Sequence, residues 1–304
     1  MKTTLLRNLI ALAATALLFS DFSAAAQVDQ KKQTYESFSS ITVRNDFEAT
    51  LTPGKEYSVT VTTEEDLLPY VQVSVVSRSL DISLAKLPKE LKKKYKGKNA
   101  PSFKVDITAP EVASVSLEDN AVLTTASEVS AKQLTLSLGG KSRIRRFDAQ
   151  VEGKASIMLA KSATGEVTLS ADQLSVSASG SASLRVSYEV ETLASFALKN
   201  VALISASGNS EKVNLSAEGS SKLSLSGTAK EQLDVNADGS ASLDALHLSV
   251  PNAKVVMTGG TLIEAASETL SMDLSGRSSL VFDKNPVLTI VAIKTSSVSH
   301  YSIR

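Results

Sequence analysis

The sequence predicts an all-β chain wound as a β-solenoid. Three observations predict it: a repeat of about twenty residues, a strict apolar/polar alternation inside each copy, and a residue tolerant of positive φ at a fixed place after it. The stretch 174–187, "LSVSASGSASLRVS", sets the template. Leu174, Val176 and Ala178 alternate with serines, Gly180 follows two places on, and Leu184 resumes the apolar series after four more. Copies start at 113, 134, 155, 174, 194, 213, 233, 253 and 270, in steps of 21, 21, 19, 20, 19, 20, 20 and 17. Eight of the nine carry Gly, Asn or Asp at the sixth place, and the copy from Ala155 is degenerate, with Lys161 and Gly165 in place of a glycine and an apolar residue.

Each element of a copy follows from this pattern. Alternation with period two sends apolar side chains to one face and Ser, Thr, Asp or Lys to the other, which is a strand and not a helix of period 3.6. The Gly/Asn/Asp place is a corner, because these residues accept a left-handed backbone. After it, residues such as "SASLRVS" form a second short strand. One copy cannot bury its apolar face alone, so successive copies stack in parallel and their inward side chains fill a continuous column. Inward residues are often small, as at Ala178, Ala217 and Ala237, which suits a narrow, closely packed coil. The frequent serines read as solvated outer faces, since a lone hydroxyl without a base is a poor nucleophile.

Before the repeats the pattern changes. Lys2 and Arg7, the apolar run 9–19 and Ala24, Ala25 and Ala26 have the order of a secretory signal peptide over 1–26, cleaved between Ala26 and Gln27. The run is too short to span a bilayer, which takes about 20 residues, and no cysteine follows it to carry a lipid. A linker is expected over 27–37 and the solenoid over 38–304. Within the solenoid, 38–108 are opening strands that form irregular first coils or a cap, with a basic loop at 86–100. Residues 109–286 are regular coils and 287–304 a C-terminal cap. Strand-like runs at 41–50, 57–63, 71–76 and 80–84, with a turn at "TPGKE", support the opening section. Some cap is needed because a solenoid end exposes unpaired backbone groups.

Composition narrows the function classes. The chain has 32 basic and 32 acidic residues, so no global field points to nucleic acid. It lacks cysteine, so it is stable without disulfides, and it lacks tryptophan, which weakens any site built on stacked indoles. His247 and His300 are the two imidazoles, and His247 in "LDALHLSV" alternates against Leu246 and Leu248, facing water. No zinc, serine-hydrolase or phosphate-loop motif occurs, so no metal or cofactor is expected. Glu218 and Asp238 share one template place on adjacent copies. Coils about 4.8 Å apart bring such a pair within the 5–9.5 Å that glycoside hydrolysis requires. Lys199 and Thr258 occupy that place on either side, so the ladder has two rungs.

Several stretches together resemble a known family: "FSSITVRNDFEATLTPGKEYSVTV", "VDITAPEVASVSLEDNA", the units "SASGSASL", "SAEGSSKL", "NADGSASL" and "LSGRSSL", and the closing "VFDKNP". Over about residues 38–286 the chain is similar to the auto-transporter adhesins with a head GIN domain, exported proteins of Bacteroidetes-type bacteria. The resemblance implies a right-handed parallel β-helix-like fold and a role in surface adhesion or ligand binding, and it carries over no catalytic residues. Several glycines of the family's Gly-x-Gly turns are Ser or Ala here, as at Ser181 to Ser183. The expected protein is a non-catalytic adhesion or cell-envelope binding protein, exported to the periplasm, cell surface or medium, without a transmembrane anchor. A polysaccharide-active hydrolase or lyase and a lipid or lipopolysaccharide-binding module are the alternatives.

The candidate binding residues lie in "KLPKELKKKYKGK", residues 86–98, with seven lysines and one glutamate. Lys92, Lys93, Lys94, Lys96 and Lys98 form a patch suited to an acidic glycan, lipopolysaccharide or another anionic cell-surface component, with Tyr95 supplying apolar contact among them.

Overall fold

The computed structural model describes residues 28–282, 289–296 and 298–303. The signal segment with Ala26 and Gln27, and the Asp283 to Pro286 part of the closing motif, lie outside the described residues. Strand accounts for 64% of the described residues and helix for 5%, and the strands form a β-solenoid of about nine turns.

The opening section comprises β1 (Val28–Thr34), β2 (Ser40–Val43), β3 (Phe47–Pro53), β4 (Ser58–Glu64), β5 (Val71–Val76), β6 (Ser79–Leu84), α1 (Lys89–Lys94) and β7 (Phe103–Ala109). The coils follow as β8 (Ser114–Leu117), β9 (Val122–Thr125), β10 (Val129–Ala131), β11 (Leu134–Leu138), β12 (Arg143–Val151), β13 (Lys154–Leu159), β14 (Thr164–Ala178) and β15 (Ser183–Leu198). They continue as β16 (Leu203–Ala217), β17 (Lys222–Ala237), β18 (Ser242–Ser249), β19 (Asn252–Met257), β20 (Leu262–Ala265), β21 (Thr269–Leu274), β22 (Ser279–Phe282), β23 (Thr289–Thr295) and β24 (His300–Ile303).

Two parallel ladders run the length of the coil. In the first, β6, β2, β8, β11 and β13 stack in turn, followed by the C-terminal halves of β14 to β17 and then β19, β21 and β23. Its register places Val115, Leu136, Ile157, Val176, Phe196, Leu215, Val235, Val255 and Met272 in one inward column, every member buried. Burying side chains of this size stabilises by about 1.5–3 kcal/mol each, which is how a chain without disulfides holds together. The second ladder joins β7, β3, β9, β12, the N-terminal halves of β14 to β17, β18, β20, β22 and β24.

Every sixth-place residue takes the left-handed corner that the template requires: Asp119, Gly140, Lys161, Gly180, Asn200, Gly219, Gly239, Gly259 and Gly276 all have φ between 59° and 79°. The degenerate copy is therefore a regular coil. Lys161 adopts φ 62° with its side chain exposed, and Gly165 leaves room for Leu184, whose Cδ1 would lie 3.1 Å from a Cβ at that position. In the first copy the buried residue beside the strand is Val112, while Ala113 is half-buried.

Not all serines face water. Two places after each corner the chain turns inward, at Ala121, Ser142, Ala163, Ala182, Ala202, Ser221, Ala241, Thr261 and Ser278, all at most 2% exposed. Only small side chains fit where neighbouring corners stack this closely. The Ser142, Ser221 and Thr261 hydroxyls have no hydrogen-bond partner there.

The opening section departs from the expected layout at two places. Residues 28–34, expected within a linker, form β1, which pairs antiparallel with β4 and so closes the second ladder. The stretch expected as a basic loop contains α1 and a 3-10 turn at Gly97–Asn99. Antiparallel β5 closes the first ladder against β6. At the other end β23 and β24, where a cap was expected, extend both ladders by one more coil.

Candidate functional site

The basic segment is a short helix fixed to the N-terminal cap. Glu90 in its first turn and Lys92, Lys93 and Lys94 in its last suit the helix dipole. Lys92 N–H donates to the Pro88 carbonyl (3.0 Å) and Tyr95 N–H to that of Leu91 (2.9 Å). Leu91 and Tyr95, four apart and hence on one side of the helix, pack with Leu87 against the core.

At 3.6 residues per turn Lys93 points away from the Leu91 and Tyr95 side, while Lys92 and Lys94 flank that side equally. A partner sets Lys94 apart from the other candidate lysines. Lys94 pairs with Asp66 (2.7 Å), its ammonium 4.8 Å from the Tyr95 ring centroid, and the Tyr95 hydroxyl donates to the same carboxylate (2.5 Å). The Lys94 ammonium first, and the Tyr95 hydroxyl next, hold Asp66 below the usual carboxylate range. Burial, and then the bond to Asp66, push the Tyr95 phenol up. Tyr95 is thus an anchor turned into the cap and not a contact displayed among the lysines. Lys92, Lys93, Lys96 and Lys98 remain exposed, and among the described residues none of them has an ion-pair partner.

The acid pair is placed as the register predicts. Asp238 N–H donates to the Ala217 carbonyl, immediately before Glu218, so the two carboxylates stand on adjacent coils. Their surroundings do not suit acid catalysis. Glu218 faces Lys199 (3.3 Å), and Asp238 accepts from the Thr258 hydroxyl (2.6 Å) and the Gly239 N–H (2.7 Å). The Thr258 bond first, then that of Gly239, hold Asp238 low, the opposite of the raised carboxyl that a general acid needs. His247 and His300 are exposed on β18 and β24; Leu246 beside His247 is only half-buried, because β18 bulges there against β17. Among the described residues no group of three or more His, Asp or Glu is placed to hold a metal ion.

A groove of about 620 Å³ crosses six coils at the edge where the second ladder passes into the first. Its floor is Ala131, Val151, Ala171 and Val190, and its walls carry Glu152, Asp172, Glu189, Glu191 and Lys230. Asn209 donates to Glu189 (2.9 Å). The repeat template spans the first eleven places of each copy, and these acids lie in the remainder, where coil lengths differ and no pattern marks them.

The family model "Putative auto-transporter adhesin, head GIN domain" matches residues 37–208 and 197–286. A "putative adhesin" from Parabacteroides merdae is similar in structure, at 16% identity and TM-score 0.44, with 91% of this chain and 96% of that chain covered. A "putative adhesin" from Parabacteroides distasonis, at 16% identity and TM-score 0.47, covers 91% and 98%. A "Putative lipid binding protein" from the same organism, at 12% identity and TM-score 0.42, covers 91% and 96%. No curated protein matches the chain.

Proposed function

Because the chain belongs to the head GIN domain family of auto-transporter adhesins, we propose that it is an exported, non-catalytic binding protein of the cell envelope, and that its basic cap meets an anionic surface component. One observation carries this reading: Lys92, Lys93, Lys96 and Lys98 are displayed together on a segment whose other side is fixed by Leu87, Leu91, Tyr95 and the Asp66 pair. Fixing the segment before binding reduces the ordering cost of association. On a chain of zero net charge the cluster acts locally, over a screening length of about 8 Å at physiological ionic strength. Phosphates of lipopolysaccharide and carboxylates or sulfates of an acidic glycan share the chemistry it recognises.

Replacing Lys92, Lys93, Lys96 and Lys98 by serine, with Lys94 kept to preserve the anchor, tests the reading. Binding to lipopolysaccharide and to an acidic polysaccharide weakens about tenfold or more, and the wild-type affinity falls with added salt. The melting transition stays in place. Unchanged binding, or binding indifferent to salt, contradicts the proposal.

The polysaccharide-active alternative draws on the groove and its four carboxylates. It predicts glycan turnover that disappears in Asp172→Asn with Glu191→Gln; a purified protein without turnover on acidic or neutral polysaccharides removes it.

A further inference from the structure

The C-terminal end of the solenoid is open. β23 and β24 extend the two ladders on one side, and among the described residues no strand pairs with their other edge. The apolar column of the second ladder ends there uncovered. Its register runs Leu243, Ile263, Leu280 and Tyr301, and two places on, Ala245, Ala265, Phe282 and Ile303. The first three of each series are at most 2% exposed, whereas Tyr301 is 46% and Ile303 45% exposed. Position in the coil is the same throughout, so the difference arises because no further coil stacks on the last one.

The backbone is open with them. His300 N–H donates to the Ser278 carbonyl of the coil before it (2.9 Å), and successive N–H groups of a strand point to opposite sides, so those of Tyr301 and Ile303 point to the free edge. Such an edge recruits another strand unless charge or proline guards it. Over 289–303 there is no proline, and the one Asp, Glu, Lys or Arg is Lys294, whose charge is answered by Asp273 (3.1 Å). The other end of the solenoid differs: antiparallel β4 and β5 lie on its ladders, and the lysines of residues 86–98 give it charge.

We propose that the C-terminal end is an interface between two copies of this chain, joined end to end about a twofold axis. A single strand from an unrelated partner covers one edge, but the last coil of a second copy brings two edges at the matching spacing with an apolar column between them. The twofold reverses the path of the partner's coil, so each edge meets an antiparallel edge, the pairing that also closes the ladders at the N-terminal end. Like ends can approach here because the last coil carries no unanswered charge over 289–303, whereas the lysine-bearing ends repel one another. Such a dimer carries the two N-terminal caps at its outer ends.

Sedimentation velocity of the full chain across a wide range of concentration tests it. The mass doubles with concentration and stops there, since a twofold contact closes on itself. Tyr301→Glu and Ile303→Glu, both at exposed places of the last coil, set like charges together in the contact and weaken the dimer about tenfold or more, with the melting transition of the monomer in place. Ser302→Glu, on the water-facing side of the same strand, leaves the dimer intact. A chain that stays monomeric at every concentration overturns the proposal. Growth beyond two copies overturns the twofold in favour of head-to-tail stacking, which does not close. Dimers that Tyr301→Glu and Ile303→Glu leave unchanged, or that Ser302→Glu weakens as much, overturn the placement of the contact on this apolar column.

Discussion

At Gly219 and Gly239 the chain takes φ of 74° and 79°, and a Cβ on Gly219 would lie 2.8 Å from the Asn200 carbonyl oxygen of the coil below. Both the left-handed backbone and the close stacking exclude a branched side chain. Gly219→Val therefore destabilises by about 1–3 kcal/mol in denaturant melts. At Lys161 the same corner carries a side chain, and Lys161→Gly stabilises by about 1 kcal/mol; equal effects of the two changes would mean the corners are misplaced. Tyr188 is a second residue with a measurable consequence. It is 2% exposed, and burial, then the Glu189 charge, push its phenol up to about 12. Ser210 pulls the other way, although its hydroxyl donates to the Lys212 carbonyl (3.1 Å) and the phenol is left without a partner. Because the folded value lies above the ordinary 10.0, the neutral phenol's contribution is complete below pH 10 and is lost as the pH rises through 12. The loss amounts to about 3 kcal/mol. Urea melts from pH 8 to 12 should show it in the wild type and not in Tyr188→Phe, which leaves stability at pH 7 nearly unchanged because no hydrogen bond is given up.

Among the elements, the coil strands and corners were legible because one repeat states their rule nine times. Even Lys161, which breaks the residue preference, takes the corner that stacking imposes. The buried Ser142, Ser221 and Ser278 were not legible, since composition assigns serine to water and only the stacked corners show that an inward place there admits nothing larger. The cap elements follow no repeat. The segment 89–94 reads as a solvated charge run until Leu91 and Tyr95 are seen to share a helical side against the cap and Lys94 to pair with Asp66, a partner 28 residues earlier in the chain. The pairing of β1 with β4 depends on a partner thirty residues away, and its polar sequence "VDQKKQT" carries no alternation of its own.

Over the whole molecule, two surfaces compete for the role of binding site: the basic cap at one end, and the acidic groove across the middle coils. They bear opposite charge and lie on separate parts of the chain, so one ligand chemistry cannot suit both. On the proposed function, anionic surface components are recognised at the cap, with the coils as its support. Hydrogen exchange of the full chain with and without a saturating acidic polysaccharide tests this most directly, read by mass spectrometry at peptides from both surfaces. The account predicts slowed exchange over residues 86–100, including the Lys92 and Tyr95 amides that close α1, with peptides over 150–191 unchanged. Protection over 150–191 with none at the cap would contradict it.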